Sequence, residues 1–475
     1  MAPIVWPTTT SPGYRASESG GRLVNCYAAP LTDGAPAPIV IRRTTGLERW
    51  VSTAQTGYRG GYYDGGAYAY AAFNGVLRKF DGAGVESAVG ALPGTDPCFF
   101  ARNQRTPTPD QLVVCNAGTF AFTPTTITPL APPAAFNSIC FLDGYFFGSV
   151  GDGRVYASGI NATTWNTSDV IRAEAKPDGL VRVIAFSGEL WACGLDNIEV
   201  WAAGGSPNLT GFPLRRTTVI DRGLINNTAI SGFEASFEST LVLVSNDNTV
   251  RLFEGYTPRV VSTPDLNRLL DRVSDKSTIS AYCYVKYGLS RIIVTARGQF
   301  SWVIDPLSQT WYERQSYLRN DCRFQGETFY AFGEWIGGDV VNTGDLIFPS
   351  EDTQREIDQP LILDVWSAVG QGFPQRVHVA RADFQFVTGQ GIVNGEDPIE
   401  RNPRCEIMWS DDGGNTWSTP LLRRLGASGQ YGEITIKAHG LGVSGVKGRR
   451  WRIRISDPVY AGLLAGDMTV SPYAS

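Results

Sequence analysis

Between residues 58 and 349 one pattern keeps returning: a short apolar run, a tight turn of Asn, Asp or Gly, and a second apolar run. Residues 67–73 turn at Asn74-Gly75 into 76–80, and 112–115 turn at Asn116-Ala117-Gly118 into 119–122. Asp143-Gly144 joins 141–142 to 145–148, and Gly151-Asp152-Gly153 leads into 154–157. The run 180–186 turns at Ser187-Gly188 into 190–194, then at Asp196-Asn197 into 198–202. Further copies are 241–253 around Asn246-Asp247-Asn248, 291–304 around Arg297-Gly298, and a weaker 328–332 before Gly337-Gly338. Apolar stretches bounded this way form antiparallel hairpins. The copies recur every roughly 35 to 50 residues, the size of one propeller blade. A lone hairpin cannot bury its own face, so such units pack side by side until a ring closes. The pattern predicts an all-β chain carrying a six- or seven-bladed β-propeller over 58–349.

Around the repeats, residues 1–57 read as N-terminal strands and a closure segment, and the acidic stretch 350–359 as a linker. Residues 360–475 read as a separate C-terminal β-sandwich or barrel, because 361–366, 377–387, 406–410, 433–438 and 451–455 alternate without any repeat. One helix is predicted near 264–273: Thr263 caps it, Pro264 starts it, and Leu266, Leu269, Leu270 and Val273 share a face.

Composition narrows the function. A 475-residue chain with 43% hydrophobic and 18% charged residues folds with a large core. Its net charge of −5 argues against gripping nucleic acid by bulk electrostatics. Eight cysteines without C-x-x-C spacing read as buried thiols, and two histidines leave little room for zinc or a Ser-His-Asp triad. No apolar run is long enough to span a membrane, and the N-terminus lacks a signal-peptide pattern, so synthesis in a cytoplasm is expected. Glu234 and Glu238 read as solvated loop carboxylates, and the sequons at Asn161, Asn166, Asn208 and Asn226 matter only in a secreted protein. No cofactor is expected.

Three motifs invite a chemical reading. Residues 410–417 fit the sialidase Asp-box, S-x-D-x-G-x-T-W, through Ser410, Asp412, Gly414, Thr416 and Trp417. Such a box is a hairpin turn in which the aspartate accepts backbone hydrogen bonds. A sialidase needs several boxes, an arginine triad and a Tyr–Glu pair as well, so the single box reads as structural. Residues 440–445 match G-x-G-x-x-G, but an alternating strand follows where a phosphate-binding helix has to begin. In that strand, period two sets Trp451, Ile453 and Ile455 on one face and Arg450, Arg452 and Arg454 on the other. The arginine row reads either as a solvated face or as a ladder that meets the acids of a neighbouring subunit or the DNA backbone, with the subunit interface preferred.

The stretch Ala173-Glu174-Ala175-Lys176-Pro177-Asp178-Gly179 precedes two hairpin strands. Upstream lie Val24-Asn25-Cys26-Tyr27 and Thr45-Gly46-Leu47; downstream lie the short helix, Asp305 and Trp311-Tyr312-Glu313-Arg314. In this order the landmarks resemble those of the packaged-DNA stabilisation proteins of short-tailed bacteriophages, with Thr45 standing where that family commonly has proline. The C-terminal S-D-D-G-G and Trp451-Arg452-x-Arg454 are similar to the family's ending. The resemblance implies a structural virion protein, not an enzyme: a tail hub or nozzle, homohexameric, below a portal or adaptor ring. It implies contacts with tail fibre or tailspike proteins, and double-stranded DNA held in the capsid and passed through the lumen without specific binding. The alternative, carried by the Asp-box and twelve tryptophans, is a carbohydrate-active or glycan-binding propeller. A WD40-like scaffold is a third reading, suggested by Ser245-Asn246-Asp247-Asn248-Thr249-Val250-Arg251-Leu252-Phe253, but the recurring WD40 landmarks are missing.

Overall fold

The computed structural model describes residues 2–473 except 174, 204–211, 238–239, 371–375, 432–433 and 435, so Glu174, Asn208 and Glu238 lie outside the described residues. The chain divides into two compact units: residues 49–297 with 323–349, and residues 1–48 with 298–322 and 350–475.

The first unit is a β-propeller. Five four-stranded antiparallel sheets follow in chain order, the first built from Gly60–Tyr63, Ala69–Phe73, Gly75–Phe80 and Glu86–Leu92. The next four begin at Phe99–Arg102, Ser138–Leu142, Leu180–Phe186 and Ile230–Ser231. A hairpin of Ile279–Lys286 and Leu289–Ala296 comes next, then Phe324–Ala331, Glu334–Asp339 and Asp345–Ser350. Their opening strands form the inner ring. Gly60–Tyr63 packs on Phe99–Arg102, that on Ser138–Leu142 and that on Leu180–Phe186; Ile279–Lys286 joins Ile230–Ser231 to Phe324–Ala331, which returns to Gly60–Tyr63. N-terminal residues complete the last sheet, where Arg49 and Ser52 both bond Asp345 at 2.7 Å.

The hydrophobic core lies between the sheets. Ile184, Trp191 and Val200 of one sheet pack with Ile230, Leu243 and Phe253 of the next, while Ala69 and Phe73 pack with Phe329, Ile336 and Leu346 across the closure. The turns follow the residues predicted for them: Gly75, Gly144 and Gly188 take φ of +78°, +89° and +76°, where a Cβ is disfavoured. The helix forms at Pro264–Arg272, with Leu266 donating its amide to the Thr263 hydroxyl at 3.3 Å and with Leu266, Leu270 and Val273 buried.

The second unit contains more of the chain than residues 360–475. One sheet places Trp311–Glu313, Arg22–Val24, Leu363–Trp366, Arg450–Ile455, Arg404–Ser410 and Leu421–Arg424 side by side. Another runs Cys26–Pro30, Ile39–Arg43, Gly462–Pro472, Val377–Phe386 and Ile436–His439. Their side chains meet at Trp451, which lies 5.2 Å from the Phe384 ring and also contacts Met468. The N-terminal strand belongs here because Arg22–Val24 bridges Leu363–Trp366 and Trp311–Glu313. Nor is 350–359 simply a linker: Glu356 pairs in parallel with Leu47 and is fully buried.

Candidate functional site

Within the second unit, three of the landmarks that mark the resemblance, Asn25, Gly46-Leu47 and Trp311-Tyr312-Glu313-Arg314, come together. Asn25 takes a left-handed φ of +54°, which asparagine tolerates better than most residues. Its amide nitrogen donates to the carbonyls of Gln315 (2.8 Å) and Ile362 (2.9 Å), and its oxygen accepts the Gln315 amide at 2.8 Å. Arg314 reaches the same oxygen at 3.3 Å, the Thr45 carbonyl at 3.1 Å and the Glu356 carboxylate at 2.7 Å. A Cβ on Gly46 would run into the carbonyls of Thr353 and Arg355, which explains the glycine of the Gly-Leu element. Glu313 accepts from the Thr10 hydroxyl and from Arg22 Nε, each at 2.9 Å. The Asn, Gly-Leu and Trp-x-Glu-Arg landmarks therefore form one buried polar clasp.

The arginine row sits on the same sheet. Trp451, Ile453 and Ile455 are buried, as period two requires. Arg450 is fully buried too: its guanidinium donates to the carbonyls of Ala16 (3.0 Å) and Ser19, and burial lowers its pKa. It serves the inside of its own chain because the N-terminal segment covers that end of the strand. Arg452 Nε binds Asp364 at 2.9 and 3.1 Å and stacks over Trp366 and Trp417. Arg454 approaches Asp364 at 3.8 Å and Glu406 at 3.5 Å, its side chain 34% exposed. Arg452 and Arg454 line a cavity of about 270 Å³ with Asp364, Asn25 and the exposed Leu318.

The Asp-box residues come together as a turn. Asp412 Oδ1 accepts from the amides of Asn415 and Thr416 at 3.0 Å and from the Ser410 hydroxyl at 2.7 Å, while Oδ2 takes the Thr416 hydroxyl at 2.7 Å. Gly414 adopts φ +99° and donates its amide to Ser410; Trp417 packs edge-on against Trp366 at 4.9 Å. Partial burial opposes the charge, yet these donors outweigh it and hold the Asp412 carboxyl well below the ordinary aspartate value. A depressed folded pKa contributes stability above the unfolded value of 3.8, and that stability is lost as pH falls through the lowered folded value. Asp412→Ala is expected to cost about 1–2 kcal/mol at neutral pH by urea unfolding, the difference shrinking in acid. The G-x-G-x-x-G stretch leads directly into the strand Arg450–Ile455, with no helix between them.

In the propeller, Asp178 of the Pro-Asp-Gly turn accepts the Asp196 amide at 2.6 Å and so ties two turns together. The inner strands line an open cavity of about 700 Å³ whose aromatic lining includes Tyr62, Phe100, Phe141, Phe233 and Tyr330. Arg182 stands in it, its guanidinium 4.4 Å from the Phe99 ring centre and 4.9 Å from that of Phe233. It donates to the Asn227 carbonyl at 2.8 Å and pairs with Glu327, whose pKa burial raises against the pull of Arg182. Glu327 also lines a second, polar cavity of about 260 Å³ with Arg59, Thr228 and Arg297. Glu234 is a turn cap at the rim of the larger cavity, accepting from Ser231 (2.8 Å) and Gly232 (2.6 Å). Sequence reasoning passed over Arg182 and Glu327. The available signal was an arginine alone inside the apolar strand Leu180–Phe186.

Among the described residues no group of three or more His, Cys, Asp or Glu is placed to hold a metal ion. No helix among the described residues is long and apolar enough to cross a membrane. Among solved structures, the chain is similar to the WD40 β-propeller domain of Doa1 (9% identity, 65% of this chain and 97% of that one, TM-score 0.42). It is also similar to BamB from Moraxella catarrhalis (14% identity, 68% and 93%, TM-score 0.40). Comparison with curated proteins returns no match. A family model described as Bacteriophage P22 Gp10, beta-propeller, matches residues 21–348, a span that holds Asn25, Gly46 and Arg314 of the clasp and the inner ring, while Glu356 and Ile362 lie beyond it. The chain belongs to this phage stabilisation family of β-propeller proteins.

Proposed function

We propose that the chain is the subunit of a phage tail nozzle: a homohexameric ring below the portal or adaptor that retains packaged DNA and forms the channel for its ejection. The observation that carries this reading beyond family membership is the small size of the cavity that the inner strands line. A space of about 700 Å³ takes a drug-sized molecule, and Arg182, Phe99 and Phe233 stand in it. A duplex cannot thread one chain, so a passage for DNA has to be made between copies. Six chains at −5 each carry 6 × −5, about −30, and a like-charged wall does not retain a polyanion. Tail fibre or tailspike proteins are the expected outer partners, and the role is structural, without catalysis. Arg452 and Arg454, partly exposed beside a cavity, are the residues of the row that can meet a neighbour's acids; Arg450 is occupied within its own chain.

Light scattering on the purified chain and on isolated tails tests the proposal. A particle near six times 51.6 kDa, or recovery of the chain in tails, is the expected result. A monomer absent from virions overturns it. Arg454→Gln is expected to lower the assembled fraction while changing the unfolding free energy by less than about 1 kcal/mol, since Arg454 and Glu406 are each about a third exposed. The aromatic lining of the central cavity favours a second reading, a glycan-binding propeller. Saturable sugar binding that quenches tryptophan or tyrosine fluorescence, by a chain that stays monomeric, would support it instead.

A further inference from the structure

Cys98 immediately precedes the strand Phe99–Arg102, and Cys115 ends the neighbouring strand Gln111–Cys115. The register that pairs Phe99 with Val114 brings position 98 against 115 one step further along. Both residues are buried, and each thiol donates to a nearby backbone carbonyl, Cys98 to Asp96 at 3.9 Å and Cys115 to Pro93 at 3.8 Å. Among the described strand pairings, no other cysteine faces a second. Directly opposed residues hold their Cβ atoms about 4.5–5.5 Å apart, close to the roughly 3.5–4.5 Å a disulfide needs, so closure asks for little backbone motion.

The surroundings favour a reactive pair. The buried guanidinium of Arg59 lies alongside, donating to the carbonyls of Asp96 (2.7 Å) and Leu92 (2.9 Å). Asp96 in turn accepts the Asn116 amide at 2.6 Å, which pins the end of the strand that carries Cys115. The neighbouring Cys98 thiol, then the Ala117 amide and the Arg59 charge, outweigh burial and bring the Cys115 thiol down to about 6, while the neighbouring Cys115 and burial push Cys98 up. Cys26, Cys140, Cys193, Cys283 and Cys405 are all pushed up, chiefly by burial. Cys115 also ends its strand beside the exposed turn residues Asn116 and Ala117.

We propose that Cys98 and Cys115 are a redox-active pair that closes into an intrachain disulfide when the protein meets an oxidising medium. The Cys115 thiolate attacks one sulfur of a small-molecule disulfide and expels the other half as a thiolate. Cys98 then loses its proton, attacks the Cys115 sulfur of the mixed disulfide and expels the second half. Two protein thiols are oxidised, and one small disulfide is reduced to two thiols. A virion component leaves a reducing cytoplasm at lysis, and the bond would then staple the first two strands of the second blade across the loop 103–110.

The test incubates the folded full-length chain with oxidised glutathione, then counts thiols in denaturant, weighs the intact chain and maps its peptides. The expected result is loss of two of the eight thiols, a mass lower by two hydrogens, and one crosslinked peptide joining Cys98 to Cys115. Cys98→Ser is expected to trap a glutathione adduct on Cys115, and Cys115→Ser to abolish both adduct and crosslink. Survival of all eight thiols, a crosslink between other cysteines, or glutathione adducts that never resolve would each overturn the proposal. The wild-type readout stands whether or not either variant folds.

Discussion

Arg314→Ala is expected to destabilise the second unit by about 3–5 kcal/mol in urea unfolding, the range for removing one partner of a buried ion pair. Arg314 and Glu356 are 4% and 0% exposed in their side chains, and the substitution takes the cation from a carboxylate that water does not reach. It also strips donors from the Asn25 side chain and the Thr45 carbonyl, loosening the connection between the N-terminal strands and the stretch that holds Glu356. Arg314→Lys keeps the charge but not the planar fork that reaches three acceptors, so an intermediate loss is expected. The informative control is the double substitution Arg314→Met, Glu356→Leu. If the cost is mainly an unpaired buried charge, the apolar pair recovers most of it. A loss below about 1 kcal/mol for Arg314→Ala would show that the clasp does not hold the unit together.

Arg182→Ala is expected to cost about 2–4 kcal/mol in the propeller. It removes a side chain lodged between two aromatic faces, a hydrogen bond to the Asn227 carbonyl and the partner of Glu327. The estimate sits below that for Arg314 because the Glu327 side chain is 21% exposed and solvent shares in its charge. A double-mutant cycle with Glu327→Gln is expected to return a coupling of about 1–2 kcal/mol. The pH dependence has a definite sign. Glu327 has a raised pKa in the folded chain, so it favours folding most below the ordinary glutamate value of 4.5 and progressively less as pH rises through the folded value. In Arg182→Ala that decline is expected to grow steeper, because burial then acts on the carboxylate without its cation. An unchanged pH profile would mean that the two charges are not coupled.

Local chemistry made the hairpins legible. Turns such as Asn74-Gly75 and Ser187-Gly188 are constrained by backbone torsions that neighbouring residues alone impose, and period two in Arg450–Ile455 follows from the pleat. The Asp-box closed as a turn for the same reason, since all its donors lie within a few residues of Asp412. The landmark order, too, could be read from the chain without any fold, and it led to the family.

What the chain could not disclose involves partners far apart in sequence. Arg450 looks like its neighbours Arg452 and Arg454, and only the fold brings Ala16 and Ser19 over it. Glu356 looks like one more acid of a linker until Arg314 and Leu47 arrive beside it. Asn25, Gly46 and Arg314 gave no sign that they share one clasp, nor Arg182 and Glu327 that they share one cavity. A residue's period and turn chemistry are set by bonds along the chain, so the sequence alone determines the strands and the hairpins they make. Whether a charge ends in water, in an ion pair or under another strand depends on which distant segments close the sheet edge above it, and the tertiary structure alone decides that.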